Sequence, residues 1–217
     1  MSKSKAQQTQ EKILKVATHI FSVKGYDGLS TRELAIAAGV NLSVPYYHFG
    51  SKEKLYEACI QRFIKKIDKV RRENLATIDT DGEHDKYDRL EKILIAFTEP
   101  HYQLLTDEEG YDYAKLIARC ALEPLEISVG ILNKYYLDTR ILYSNAIARV
   151  LEHPESVDTI IRVFSFFVEY MLGAPIEKGV INNSNRLLTA DEVSDIQRLV
   201  VTFGIGGFNT VITKGRL

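Results

Sequence analysis

The sequence predicts an all-α protein, with a small three-helix N-terminal head over residues 1–52 and a larger helical body over 53–217. A long helix from about residue 51 to 77 joins the two. Three observations carry this reading. Apolar residues recur at helical spacing in every patterned segment, and no segment alternates as a strand does. Two capping boxes, Ser30 with Glu33 and Thr189 with Glu192, mark helix starts. Charge divides at Lys52: seven Lys/Arg against three acids give the first 52 residues +4, while 21 basic and 26 acidic residues give the remainder −5.

The first helix is expected from about Thr9 to Lys24, with Ile13, Leu14, Ala17, Ile20 and Phe21 as its apolar stripe. Gly25 ends it, and Tyr26-Asp27-Gly28 reads as a turn. The stretch from Ser30 to Lys52 organises the rest. Its capping box opens a short helix, Leu34, Ala35 and Ala38 face a core, and Gly39 supplies the positive φ of a helix end. Val40 re-enters the core, and a second short helix begins at Ser43 or Val44 and carries Tyr46, Tyr47, His48 and Phe49. Helix, glycine-containing turn, helix is the arrangement that lets a second helix enter the major groove of DNA. Pro45 fits only the first turn of that helix, where its missing N–H is free anyway.

The joining helix has Leu55, Ala58, Cys59, Phe63, Ile67 and Val70 as its apolar face. Residues 79–85 read as a loop. Helices follow over about Lys86–Leu105, with Pro100 as a kink or division, over Tyr111–Leu122, and over Leu125–Glu152. The segment Ser156–Leu172 is apolar on more than one face, and glycine, proline and asparagine then make a loop of Gly173–Asn185. The last helix runs from Thr189 towards Phe208; its glycines at 204, 206 and 207 either allow close helix contact or end the helix.

Composition excludes several classes. With 45% apolar and 26% charged residues the chain is an ordinary globular one. Cys59 and Cys120 lie in apolar helical patterns, as buried reduced thiols of a cytosolic protein do. No apolar run reaches the ~18 residues of a membrane helix, and residues 1–5 (MSKSK) lack the apolar segment of a signal peptide. The expectation is a soluble, cytoplasmic protein with no membrane partner. His101 near Asp107, Glu108 and Glu109, and His153 beside Glu152, have neither HExxH nor CxxC spacing, and no glycine-rich phosphate loop follows a strand. No catalytic residue, metal or cofactor is expected.

Small Ala35, turn Gly39, the run Tyr46-Tyr47-His48-Phe49 and then Gly50-Ser51-Lys52 resemble the DNA-binding domain of the TetR family of transcriptional regulators over roughly residues 9 to 58. Pro45 departs from the aliphatic residue usual there. The resemblance implies that Thr31, Tyr47, His48 and Lys52 meet DNA phosphates. Ser43 and Val44 then stand at the end of the recognition helix that points at base edges, with Arg32 and Tyr46 on the same DNA-binding face. Packing against the first helix is the other reading of Tyr46.

Family members hold a small-molecule pocket in the second domain. The twelve tyrosines suit a cavity that is apolar with a few polar handles. Phe97, Tyr102, Tyr113, Cys120, Phe167 and Met171 are the candidate lining. Resemblance also implies a homodimer through the two C-terminal helices, for which Phe164, Val168, Leu199, Phe203 and Phe208 are candidates; a fully buried intramolecular helix is the other reading of Ser156–Leu172. The function implied is a repressor that binds a pseudo-palindromic operator on double-stranded DNA and is released by a small-molecule effector. A transcriptional activator, a protein-binding adaptor and a helical enzyme using the tyrosine-rich cavity stay open on the residues alone.

Overall fold

The computed structural model describes residues 4–79, 85–122, 125–152, 157–181 and 186–214. Residues 80–84 of the expected loop and His153 lie outside them. Among the described residues every regular element is helical. The first helix, α1 (Lys5–Lys24), starts four residues earlier than expected because Ser4 and Gln7 form a second kind of capping box: the Gln7 N–H donates to Ser4 Oγ at 3.2 Å and the Ser4 N–H to Gln7 Oε1 at 2.9 Å. Its end is set by Gly25 at φ 73°.

The two helices of the motif are α2 (Thr31–Ala38) and α3 (Ser43–Phe49). Ser30 caps α2 by accepting from the Glu33 N–H at 3.1 Å. Glu33 does not complete the expected box; its carboxylate takes Lys24 Nζ at 2.6 Å and so pins α2 to the end of α1. Gly39 ends α2 in the left-handed conformation, φ 59°, ψ 44°. Pro45 falls in the first turn of α3, as its missing donor requires.

From its cap at Ser51, α4 (Lys52–Ala76) runs for 25 residues, about 38 Å at 1.5 Å per residue. It packs on α1 and α3 in the head and on helices of the body. The body continues with α5 (Lys86–Tyr102), a single 3₁₀ turn (Gln103–Thr106), α6 (Glu108–Leu122), α7 (Glu126–Val150), α8 (Val157–Ile181) and α9 (Ala190–Lys214). Pro100 stays inside α5, and the chain tightens into the 3₁₀ turn just after it. α6 begins three residues early because Asp107 accepts the Gly110 N–H at 2.9 Å. α9 opens with its capping box intact: the Thr189 N–H donates to the Glu192 carboxylate at 3.0 Å and the Glu192 N–H returns to Thr189 Oγ1 at 3.3 Å.

The loop expected at Gly173 is not where α8 stops; the helix runs on to Ile181. Pro175 has no N–H to give the carbonyl of Met171 four residues back. The phenol of Tyr102 donates to that carbonyl instead, at 3.2 Å, so the helix passes its proline without an orphan acceptor. α9 likewise continues through its glycines. One contiguous core joins head and body, from Ile13 and Phe21 through Tyr56 and Ile60 to Phe97, Phe164 and Phe208.

Candidate nucleic-acid interface and effector cavity

Short α3 is held by its inner face. Pro45 and Phe49, one turn apart, are buried under α1 and α4, which leaves the opposite face outward. Tyr46 and Tyr47 are 71% and 85% exposed, Ser43 is exposed, and Val44 is half-buried against the core. Tyr46 therefore faces solvent and does not pack on α1. The His48 ring meets Tyr47 edge-on at 5.4 Å, so the two side chains form one half-rigid pair. Thr31 and Arg32 stand exposed at the start of α2, where free backbone N–H groups favour anions. Lys52, at the start of α4, is half-buried; its Nζ lies 4.8 Å over the Tyr26 ring and 3.4 Å from the Asp27 carbonyl. The structure thus brings Thr31, Arg32, Ser43, Tyr46 and Tyr47 to the exposed sides of α2 and α3, with Val44, His48 and Lys52 half-buried beside them. Sequence reasoning missed Ile36 and Leu42, which are 70% and 58% exposed beside them. An apolar residue on the solvent side of a two-turn helix was the available signal for Ile36.

The body holds a cavity of about 180 Å³ among α4, α5, α6, α7 and α8. Of the six residues expected to line it, Phe97, Cys120 and Met171 do. Tyr102 is occupied with the Met171 carbonyl. Tyr113 is stacked under Phe63 at 4.5 Å and 22°, and Phe167 packs on Phe164 at 5.9 Å and on Phe97 at 6.4 Å. Two residues expected at a dimer interface line the cavity instead. Phe164 is fully buried and sandwiched with Tyr143 and Phe97, and Val168 is half-buried beside it. Phe208, at 1% exposure, also belongs to the protomer's own core. Helix periodicity explains this placement: residues 160, 164, 167 and 171 form the inward stripe of α8, which leaves Phe166 outward at 67% exposure. Leu199 and Phe203 are 61% and 55% exposed on α9, and Phe203 lies 4.6 Å from the Tyr170 ring of α8.

Arg71 and Tyr136 are among the lining residues that sequence reasoning missed. The i+4 series Phe63, Ile67, Arg71, Leu75 runs straight down the buried face of α4, so Arg71 occupies a core position disguised by its neighbours Arg72 and Glu73. Its Nε donates to the Phe97 carbonyl at 2.8 Å, and its guanidinium carbon lies 3.7 Å from the Phe97 ring centroid and 5.9 Å from that of Tyr136. Burial lowers its pKa. His101, fully buried nearby, is pushed down to about 3 by burial first and by the Arg71 charge second. Burial raises Cys120 to about 11 and Cys59 to about 12, so both thiols stay protonated.

Two elements touch both the cavity and the head. α4 carries Arg71 at one end and joins α3 through Gly50 and Ser51 at the other. α6 carries Cys120 in the cavity wall, and on its other side Asp112 accepts from His19 at 2.8 Å and from Ser22 at 3.1 Å, both on α1. Tyr56 on α4 and Cys120 on α6 meet at 3.0 Å between O and S, linking the two.

A family model described as bacterial regulatory proteins, tetR family, matches residues 13–59. The HTH-type transcriptional dual regulator CecR of Shigella flexneri is 29% identical over 122 residues, covering 55% of this chain and 54% of CecR. The HTH-type transcriptional regulator AcrR of the same organism is 42% identical over 55 residues, 25% of this chain and 26% of AcrR. The chain thus spans about half the length of one relative and a quarter of the other. Among solved structures, a TetR-like transcriptional regulator from Rhodococcus sp. RHA1 superposes with a TM-score of 0.58 at 20% identity, covering 95% of this chain and 99% of that one. That likeness is one of fold.

Proposed function

From a chain that belongs to the TetR family of transcriptional regulators and carries a helix-turn-helix DNA-binding domain, we propose a homodimeric repressor whose operator binding is released by a small molecule in the body. The head is residues 1–52 and the body residues 53–217. The observation that carries the reading is the shared use of α4 and α6, each of which borders the cavity and holds the head. A ligand that prefers one placement of α4 moves the head with it. Such a ligand shifts the population of DNA-competent molecules by its differential affinity for the two states.

Dimerisation is supported by the outer face of α8 and α9. Phe166, Tyr170, Leu199 and Phe203 lie there, and one turn beyond each pair stands a glycine, Gly173 or Gly206, with no described atom within 4 Å of where a Cβ would be. A glycine inside a helix costs about 1 kcal/mol against alanine, and nothing among the described residues requires these two. A second copy packed closely on this face would. The paired recognition helices would read half-sites roughly 34–36 Å apart, or a multiple.

No helix among the described residues is long and apolar enough to cross a membrane, in keeping with a cytoplasmic regulator. The test is a mobility shift of the protein on the DNA upstream of its own gene across a salt series. Neutralising about six to ten phosphates should weaken retention roughly 10³–10⁵-fold between 50 and 200 mM salt. A flat response, or equal retention of competitor DNA, would discard the reading.

A further inference from the structure

The geometry points to a small organic carboxylate with a compact apolar body as the occupant of the cavity, held by the guanidinium of Arg71. This rests on the reading of the cavity as an effector site and names the chemistry of its ligand.

Arg71 is 1% exposed, and its Nη1 is a buried donor without a hydrogen-bond partner. A guanidinium cannot discharge itself by losing a proton at any ordinary pH, so burial leaves a positive charge inside the body. A carboxylate within reach would ordinarily answer it. Asp68, one turn back on α4, attracts that charge, but its carboxylate is hydrogen-bonded by Arg72 Nε at 2.9 Å and by the Thr139 hydroxyl, not by Arg71. What Arg71 does have is one hydrogen bond to the Phe97 carbonyl and the face of the Phe97 ring. Those contacts orient the guanidinium without neutralising it. A buried charge without a hydrogen-bonded counter-charge is costly, and an anionic occupant of the cavity would supply one.

The charge is part of the cavity wall, together with Arg140 and one carboxylate, the exposed Glu169, which makes no hydrogen bond or ion pair with Arg71; the rest of that wall is chiefly apolar, Phe97, Phe164, Leu132 and Met171 among them. Guanidinium is planar and offers paired N–H donors, which matches a carboxylate in two-point contact better than a spherical anion. The volume of about 180 Å³ sets the size. An apolar cavity of about 150 Å³ accepts benzene, so this one takes a single ring with its carboxylate or an acyl chain of similar bulk. Since Arg71 lies on α4, neutralising it acts on the helix that leads to α3 without an intermediary.

The experiment is calorimetric titration of the full-length protein with benzoate, and with benzamide and benzylamine as neutral and cationic molecules of nearly the same shape. Benzoate is expected to bind about 10–100-fold tighter than benzamide, the worth of a charge-assisted pair, and benzylamine weakest. Arg71→Met should erase the preference for benzoate while leaving benzamide binding in place. Benzoate no tighter than benzamide, or a preference that survives Arg71→Met, overturns the assignment while leaving a neutral-ligand cavity standing. Failure of all three to bind overturns both. Should Arg71→Met not fold, the ranking of the three probes on the native protein decides alone. Benzoate binding that leaves operator retention unchanged upholds Arg71 as a carboxylate anchor and removes the effector reading instead.

Discussion

Arg71 is bonded to Phe97 twice over: its Nε donates to the Phe97 carbonyl at 2.8 Å, and its guanidinium carbon sits 3.7 Å from the Phe97 ring centroid. The same arginine's own carbonyl accepts from Tyr143 on α7 at 2.7 Å, so one residue of α4 ties together α5 and α7. A lysine could make the hydrogen bond but could not lie flat on the ring. The arrangement holds α4 in place through a side chain that would rather be solvated, and an element held that way is the one a ligand can most readily re-balance.

That tension has a stability consequence. Arg71→Met keeps the volume and removes the buried charge; replacing a buried ion pair by apolar side chains is often neutral or stabilising by about 1–4 kcal/mol, and Arg71 has no hydrogen-bonded counter-charge to lose. Denaturant unfolding without ligand should therefore show the variant at least as stable as the native protein. Phe97→Ala, by contrast, opens a cavity and should lose about 3–5 kcal/mol. A loss above about 2 kcal/mol in Arg71→Met would mean that the contacts to Phe97 outweigh the desolvation they offset.

His101 predicts a pH dependence with a definite sign. Its folded pKa, about 3, lies below the ordinary histidine value, so the folded state binds its proton less readily than the unfolded chain. The stability it confers is complete above about pH 6.5 and falls by about 1.4 kcal/mol per pH unit below that, until the folded pKa is reached. Between pH 6.5 and 5, where few carboxylates titrate, the loss is about 2 kcal/mol, or about 4–8 °C in melting temperature. Melting curves at fixed protein concentration should show that slope in the native protein and a flatter one in His101→Gln. Equal slopes would place the proton elsewhere.

Most of the fold was legible because its signals are local. Capping residues at Ser30 and Thr189 and the glycine at 39 marked helix ends that the structure has, and Phe49 lies on the buried side of α3. The early starts of α1 and α6 come from local caps at Ser4 and Asp107, whereas the misses at Pro175 and Arg71 turn on partners distant in sequence. Nothing near Pro175 says that Tyr102, 69 residues before Met171, supplies the donor that lets α8 continue. Nothing near Arg71 says that its charge points inward, since Arg71-Arg72-Glu73 reads as a solvated run until the i+4 spacing from Phe63 is weighed against it. Phe164 and Phe208 went to the interface for a related reason: a helix apolar on several faces does not declare which one its own protomer covers.

The glycines of α9 separate two kinds of contact. A Cβ at Gly204 would stand 2.7 Å from the Phe167 ring and 3.0 Å from Leu94, so Gly204→Ala forces a packed core apart and should destabilise by about 1–3 kcal/mol. A Cβ at Gly206 meets nothing within 4 Å, and alanine there should raise helix stability by about 0.5–1 kcal/mol in an isolated protomer. Because Gly206 shares the outer stripe with Leu199 and Phe203, the same alanine should weaken self-association in sedimentation. Unaltered association in Gly206→Ala and in Phe203→Ser together would take the dimer off this face.

On the DNA side, Tyr47 and Lys52 should fail in different ways. Tyr47 is 85% exposed, with its ring edge-on to His48, so Tyr47→Ala should leave the melting temperature within the small range of surface substitutions. If its phenol meets a phosphate, operator affinity falls about tenfold. Lys52 carries charge, so Lys52→Ala should weaken binding to every sequence alike and reduce the slope of log affinity against log salt by about 1. Its contacts to Tyr26 and the Asp27 carbonyl hold the turn between α1 and α2, and their loss adds about 0.5–1 kcal/mol of destabilisation that the neutral Tyr47 variant lacks. Lys52→Arg, which keeps both the charge and the ring contact, should restore the slope. An unchanged salt slope in Lys52→Ala would mean that this ammonium serves the turn alone, and that the phosphates are met by Arg32 and the start of α2.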